Sequence, residues 1–450
     1  MADKLLIRVY DVGLGDCIYC RIPDAKTVDG KKTDFHMLID CGTWSGMPFL
    51  ENAMRHLADE LPDAGGGKKR LDLIVVTHEH KDHIAGFGPE LFKNFKVGAV
   101  WLNCAMDPNH PQAGKSLALK GFAANAMRGL AALDLKLSPE LQELASVFEF
   151  SNSEAMDTLR TKLLPAGKQP DYVHAGQTNE DLGLKLDGAT IHVLGPEKNI
   201  DFFYLGKDAA KTMHGMAGMA EGAAVAAAAP ITATQPPTPK NISAAAFRQL
   251  RGRMQSSTLA FAELASKVTN NSSVVLLVGW KGKRLLFVGD AEWDGAFREG
   301  KSNGSWNVMW NQRKALLGKP VDFLKIGHHG SENATPWNDV EGGPQTEPAD
   351  ILDAILPLPK GGKRPTARAV VSTERGKYKT IPRAELMVEI GRRVDGPRIY
   401  SKALTKKKIE LASLPKFDGF EKDWIEAPQP LRTDFERLLD PVGFINVEFE

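Results

Sequence analysis

Apolar positions along this chain fall into runs, alternations and helical stripes, and the changes between them mark its elements. Residues 4–10, 17–22 and 35–39 read as three strands. Val12-Gly13-Leu14-Gly15-Asp16 turns between the first two, and Asp29-Gly30 is a hairpin turn between the second and third. Phe49, Leu50, Ala53, Met54, Leu57, Ala58 and Leu61 make one helical stripe, which Gly65-Gly66-Gly67 breaks. Further strands are expected at 71–76, 97–102, 190–194, 274–280, 283–288 and 321–327, the 274–288 pair closing a hairpin around Lys281-Gly282. The stretch 117–150 is mostly helical, with Ser138-Pro139-Glu140 restarting a helix. Strands alternating with helices predict a mixed α/β protein.

Several of these strands run directly into metal-binding chemistry. Thr77-His78-Glu79-His80-Lys81-Asp82-His83 follows the 71–76 run. In extended chain His78 and His80 fall on one side, and the following turn can swing Asp82 and His83 round to face them. That offers two nitrogens to one metal and an oxygen with a nitrogen to a second, a set that suits Zn²⁺ and also accepts Mn²⁺ or Fe. Only 11 His occur in the chain, and three of them here argue against a charged surface loop. Two more sit in His328-His329-Gly330-Ser331, after the 321–327 run, while Leu285-Leu286-Phe287-Val288-Gly289-Asp290 ends another run in a carboxylate.

These motifs resemble the metallo-β-lactamase superfamily of metal-dependent hydrolases. Their order resembles that in the hydrolase domain of the competence protein ComEC and its soluble relatives: Val12 to Asp16, Leu38-Ile39-Asp40-Cys41-Gly42, Thr77 to Gly86, Asn270-Asn271-Ser272-Ser273-Val274, Gly289-Asp290-Ala291 and Leu324 to Ser331. The resemblance implies an α/β fold in four layers, an αββα sandwich. It implies metal ligands His78, His80, Asp82, His83, Asp290 (bridging two ions) and His328, the last assigned because it directly follows its strand. Asp40 would hold the metal loop by hydrogen bonds. Asp16 would do likewise or cap its own turn. Glu292 and Asp294 are read as supporting or solvated carboxylates. Asp82 would also orient the attacking hydroxide, His329 would donate a proton to the leaving oxygen, and Lys325 and Ser331 would contact substrate phosphate. The family's third His is missing where Gly195-Pro196 ends the 190–194 strand, with His174 and His192 candidates on position alone. Either water or a substitute completes the first metal's shell, or one ion alone is held tightly.

The implied function is hydrolysis by water whose pKa falls from 15.7 toward ~7 on one or two metal ions. The expected activity is a phosphodiesterase or nuclease on nucleic acid or nucleotide. A hydrolase of a carboxyl ester, lactone or amide and a non-catalytic metal-binding scaffold are the alternatives.

Composition changes this picture little. With 42% hydrophobic and 25% charged residues among 450, the chain reads as an ordinary soluble protein with a substantial core. A net charge of +1 argues against bulk electrostatic binding of nucleic acid but leaves room for a local groove. The segment 360–383 carries eight basic residues against Glu374, joined by Lys402 and Lys406-Lys407-Lys408; it is a solvated face or a phosphate cradle. No signal-peptide pattern opens the sequence and no apolar run approaches the ~20 residues of a membrane span, so a cytoplasmic protein without membrane contact is expected. Cys17, Cys20, Cys41 and Cys104 are read as reduced core thiols rather than a redox pair. The chain divides into 1–204 and 246–410 as halves of one hydrolase domain, a Met-, Ala- and Pro-rich insertion at 205–245 acting as linker or lid, and a 411–450 extension. That extension straps over the body or serves association with a second copy or partner protein.

Overall fold

Two sheets account for the strands of the computed structural model, which describes residues 4–131, 153–205, 243, 262–294, 304–337, 346–361, 363–373, 381–395 and 443–450. The first holds seven strands in the order β12-β1-β2-β3-β4-β5-β6: β1 (Leu5–Tyr10), β2 (Cys17–Val28), β3 (Lys31–Cys41), β4 (Lys69–Val76), β5 (Phe95–Asn103), β6 (Asp171–Val173) and β12 (Phe444–Phe449). The second holds five in the order β11-β10-β9-β8-β7: β7 (Ala189–Gly195), β8 (Val275–Trp280), β9 (Lys283–Phe287), β10 (Phe323–Ile326) and β11 (Arg368–Val371).

Both sheets switch from antiparallel to parallel pairing partway across. β12, β1, β2 and β3 pair antiparallel, and β3, β4, β5 and β6 parallel. In the second sheet β7, β8 and β9 pair antiparallel, then β9, β10 and β11 parallel. The parallel strands β3, β4 and β5 therefore end at one edge of their sheet, and β9, β10 and β11 at one edge of theirs. The residues just past such ends are where α/β sheets place their ligands.

The sheets pack face to face. Ile7, Ile18, Met37 and Val75 share one apolar cluster with Ile191, Leu276, Phe287 and Val370. The outer face of the first sheet buries Leu50, Ala53, Met54 and Leu57 of α1 (Met47–Glu60). The outer face of the second buries side chains of the helices Ser305–Leu317, Glu347–Ile355 and Ala384–Gly391. The result is helix, sheet, sheet, helix, as the resemblance implied.

Several elements differ in length from the pattern's reading. β2 and β3 run past their apolar stretches to Val28 and Lys31, since the polar residues there alternate in a two-stranded ribbon closed by Asp29 (φ 49°) and Gly30 (φ 75°). β10 is shorter than 321–327, and the short strands β6 and β11 carry too few residues for a period to emerge. The helix expected over 117–150 is present as Gly114–Ala131; its remainder, the bulk of the 205–245 insertion, Lys402, Lys406–Lys408 and most of the tail lie outside the described residues. The last eight residues add β12 to the edge of β1, where Arg8 stacks on Phe444 at 4.3 Å and bonds Asn446 at 2.8 Å. The four cysteines are free and buried, and Cys17 and Cys20 face opposite sides of β2.

Candidate metal centre

Backbone geometry at the strand ends aims the site. Asp40 closes β3 at φ 56°, and His328 and His329 follow β10 at φ 42° and 52°. Left-handed backbone costs a non-glycine residue roughly 1–2 kcal/mol, and such departures concentrate at functional sites. Three loops meet so closely that two positions exclude any side chain. A Cβ on Gly42 would fall on the Asp82 carbonyl carbon and the His83 nitrogen, and one on Gly15 would lie 2.7 Å from Thr43 Cα and 2.9 Å from Asp82 O.

The metal loop leaves β4 and passes into the single turn α2 (Lys81–Ile84). His78, His80, Asp82 and His83 are all buried there, as are Asp290 past β9 and His329 past β10. Donor atoms of His78, His80 and Asp290 lie within 4.8 Å of one another, and so do those of Asp82, His83, Asp290 and His329. Asp290 belongs to both groups. Its Oδ2 lies 3.6 Å from His78 Nε2 and its Oδ1 3.3 Å from His83 Nε2.

Each of three imidazoles spends Nδ1 outward and turns Nε2 inward. His83 Nδ1 donates to Asp40 Oδ2 (2.7 Å), whose carboxylate also accepts from the Thr77 amide (2.8 Å) and hydroxyl (2.7 Å). His78 Nδ1 faces the hydroxyls of Thr77 (3.1 Å) and Ser273 (3.2 Å). His329 Nδ1 donates to Ser372 O (2.8 Å), leaving Nε2 toward Asp82 (2.7 Å). These tautomers follow from the partners, and they are the arrangement in which metal-binding His residues are usually held.

Electrostatics point the same way. Burial works against a charge on His83, yet Asp290, Asp40 and Asp82 together hold the imidazole well above its ordinary value. Burial raises Asp290, but His83, His328 and His78 outweigh it and hold the carboxyl well below the usual range. His80 is pushed down to about 4, chiefly by burial. The cluster thus demands positive charge, from protons or from a cation. A metal ion fits: His83 Nε2 is buried, has no hydrogen-bond partner and faces two carboxylates.

Three expected site residues are placed differently from the others. His328 is absent from both donor groups, whereas His329 belongs to one. His328 lies two residues past β10, with its amide donating to Asp290 Oδ1 at 3.0 Å. His328 instead sets Nδ1 between Ser331 Oγ (3.1 Å) and Glu292 Oε1 (3.3 Å), with its side chain 26% exposed. Lys325, expected to contact phosphate, is 2% exposed, and its ammonium lies 2.8 Å from the Asp16 carboxylate. That pairing accounts for Asp16, whose amide also bonds Asp82 O at 2.9 Å. Ser331, the other expected phosphate contact, is held within its own loop by His328 and Asn333 (3.0 Å).

His174 and His192 join none of the groups found among the described residues, and His174 Nδ1 faces the Ala175 carbonyl at 3.0 Å. The first group therefore holds two imidazoles and one carboxylate. Of the basic segment, Lys360, Lys363 and Arg364 are exposed, while Arg368 and Arg383 pair with Asp395 and Glu385. Sequence reasoning missed Ser372, for which a lone serine after a four-residue strand carries no signal. It left Glu292 open between supporting and solvated; the side chain is 6% exposed and accepts from Asn270 (2.8 Å).

No helix among the described residues is long and apolar enough to cross a membrane. No curated protein matches the chain. Residues 28–100, which span β3, α1, β4, the metal loop and most of β5, match the family model of the metallo-beta-lactamase superfamily, and the four-layer sandwich is consistent with that fold.

Proposed function

We propose that the protein is a metal-dependent phosphodiesterase acting on nucleic acid or a nucleotide, and that it belongs with the ComEC-like hydrolases. One observation carries the reading: Asp290 turns separate carboxylate oxygens to two donor groups. A carboxylate so placed can bridge two cations, and paired cations suit in-line phosphoryl displacement. His78, His80 and Asp290 would hold one ion; Asp82, His83, Asp290 and His329 the other. Zn²⁺ matches this nitrogen and oxygen set, and Mn²⁺ is compatible with it. Bound there, a divalent cation supplies Lewis acidity and lowers the pKa of coordinated water.

The chain's own residues supply the rest. Asp40 and Thr77 lock His83 and His78 in orientation. Asp82 and Asp290 concentrate negative charge where a cation must sit. His328 exchanges roles with His329: Glu292 and Ser331 hold its Nδ1 side while the exposed edge faces outward, so it becomes the proton donor to the leaving oxygen.

The test is metal analysis of purified protein coupled to a panel of bis-p-nitrophenyl phosphate, single-stranded DNA and carboxyl esters. Phosphodiester turnover that scales with bound Zn²⁺ or Mn²⁺ supports the reading; turnover of carboxyl esters alone overturns it. A second reading, a metal-binding scaffold without activity, draws on the three-donor first group. Stoichiometric metal with no turnover of any ester would favour it.

A further inference from the structure

Beside the metal loop lies an apolar face that the fold does not use. Trp44 is partly exposed and belongs to none of the hydrophobic clusters of the described residues. Met47, three residues on, is 39% exposed and is one of two exposed large hydrophobic side chains among those residues, the other being Leu358. The Lys81 ammonium lies 5.1 Å from the centroid of the Trp44 ring. Lys81 stands between His80 and Asp82, so this ring-and-cation pair is one residue from both donor groups.

The loop that carries Trp44 is held by hydrogen bonds of its backbone. The Trp44 amide donates to Leu14 O (2.7 Å), the Leu14 amide to Ser45 Oγ (3.0 Å), and the Ser45 amide to Thr43 Oγ1 (2.8 Å). Gly15 and Gly42 press the same loops against the backbone of Asp82 and His83. A partly exposed indole on the loop packed against Asp82 and His83, with an ammonium over one face, has its other face for stacking and a positive charge beside it. An aromatic ring attached to a phosphate uses both.

We propose that Trp44, Met47 and the Lys81 side chain form a substrate subsite that stacks a planar aromatic ring, namely a nucleobase joined to the phosphate held at the metal centre. The proposal rests on the phosphodiesterase reading and narrows it to nucleotide substrates. Base stacking on an aromatic side chain accounts for roughly tenfold or more in affinity.

The experiment compares thymidine 5′-(p-nitrophenyl phosphate) with methyl p-nitrophenyl phosphate, which share a leaving group and differ in a nucleoside against a methyl group; the Trp44 variants isolate the base's share. The wild type is expected to show a KM at least about tenfold lower for the nucleoside ester. Trp44→Ala should erase that preference while leaving the methyl ester's kinetics unchanged, and Trp44→Phe should retain most of it. An undiminished preference in Trp44→Ala overturns the proposal. A second arm titrates thymidine monophosphate into the metal-loaded protein and follows tryptophan fluorescence. Quenching in the wild type that is lost in Trp44→Phe supports the subsite; equal quenching in both overturns it. If neither ester is hydrolysed, the phosphodiesterase reading fails, and the fluorescence arm still decides the stacking. A change of oligomeric state in Trp44→Ala without any loss of base binding assigns the face to contact between copies and also overturns the proposal.

Discussion

Two buried ionic clusters sit side by side beneath the strand ends, and they are satisfied in opposite ways. Around Asp16 the protein supplies its own cation: Lys325 crosses from β10, places its ammonium 2.8 Å from the carboxylate and bonds the Ile326 carbonyl at 3.0 Å. Burial raises Asp16, but Lys325, His83 and His329 outweigh it and keep the group ionised. Around Asp290 the ion pairs found are with the imidazoles of His78 and His83, and the His83 Nε2 atom finds no hydrogen bond. A buried charge without a partner is expensive; the first cluster has a lysine of the chain beside its carboxylate, whereas the shared carboxylate of the second has imidazoles. Buried ion pairs and metal sites look alike in a list of charged residues; the internal cation tells them apart.

The sharpest way to break that contrast is to remove the shared carboxylate. Asp290→Ala should cost several orders of magnitude in turnover and lower the metal content, with circular dichroism unchanged; full metal and activity would refute its bridging place. Lys325→Met should act on stability alone. Leaving Asp16 buried without its cation costs about 3–5 kcal/mol, read as a fall in Tm with KM unaltered. A raised KM would return Lys325 to the substrate site. The exchange between neighbouring imidazoles is next: His329→Ala should lose metal, whereas His328→Ala should keep it and lose roughly 100-fold in kcat. Loss of metal in His328→Ala would restore the strand-end assignment.

The smallest effect lies in the first sheet, where His36 is a buried histidine with no metal role. Its Nδ1 lies 2.7 Å from the Tyr19 hydroxyl, and burial pushes it down to about 4 from an ordinary 6.5. The unfolded chain therefore takes up the proton first as pH falls, and stability present above pH 6.5 is lost toward pH 4. Between pH 6.5 and 5.5 this amounts to roughly 1 kcal/mol. Urea titrations at the two pH values should show that difference, and His36→Gln should shrink it.

Much of the site was legible because it lies in short contiguous motifs. His78, His80, Asp82 and His83 sit within six residues after an apolar run, and Asp40 and Asp290 each follow one closely, so strand-end logic reached them all. It failed at His328 and His329, because adjacent residues in the left-handed region do not alternate as strand residues do. It failed at Lys325 for another reason: a lysine inside an apolar run looks available until its partner, 309 positions earlier in the chain, is known. Trp44 escaped notice because one aromatic residue has no period.

The sequence by itself determined the layers and most of the candidate donor set, since hydrophobic periodicity and closely spaced donors are local properties. The tertiary structure alone decided which cation neutralises which carboxylate, which imidazole turns inward, and that Lys81 lies on Trp44. Those outcomes depend on distances between segments far apart in the chain, set by how parallel strands of two sheets end at one edge.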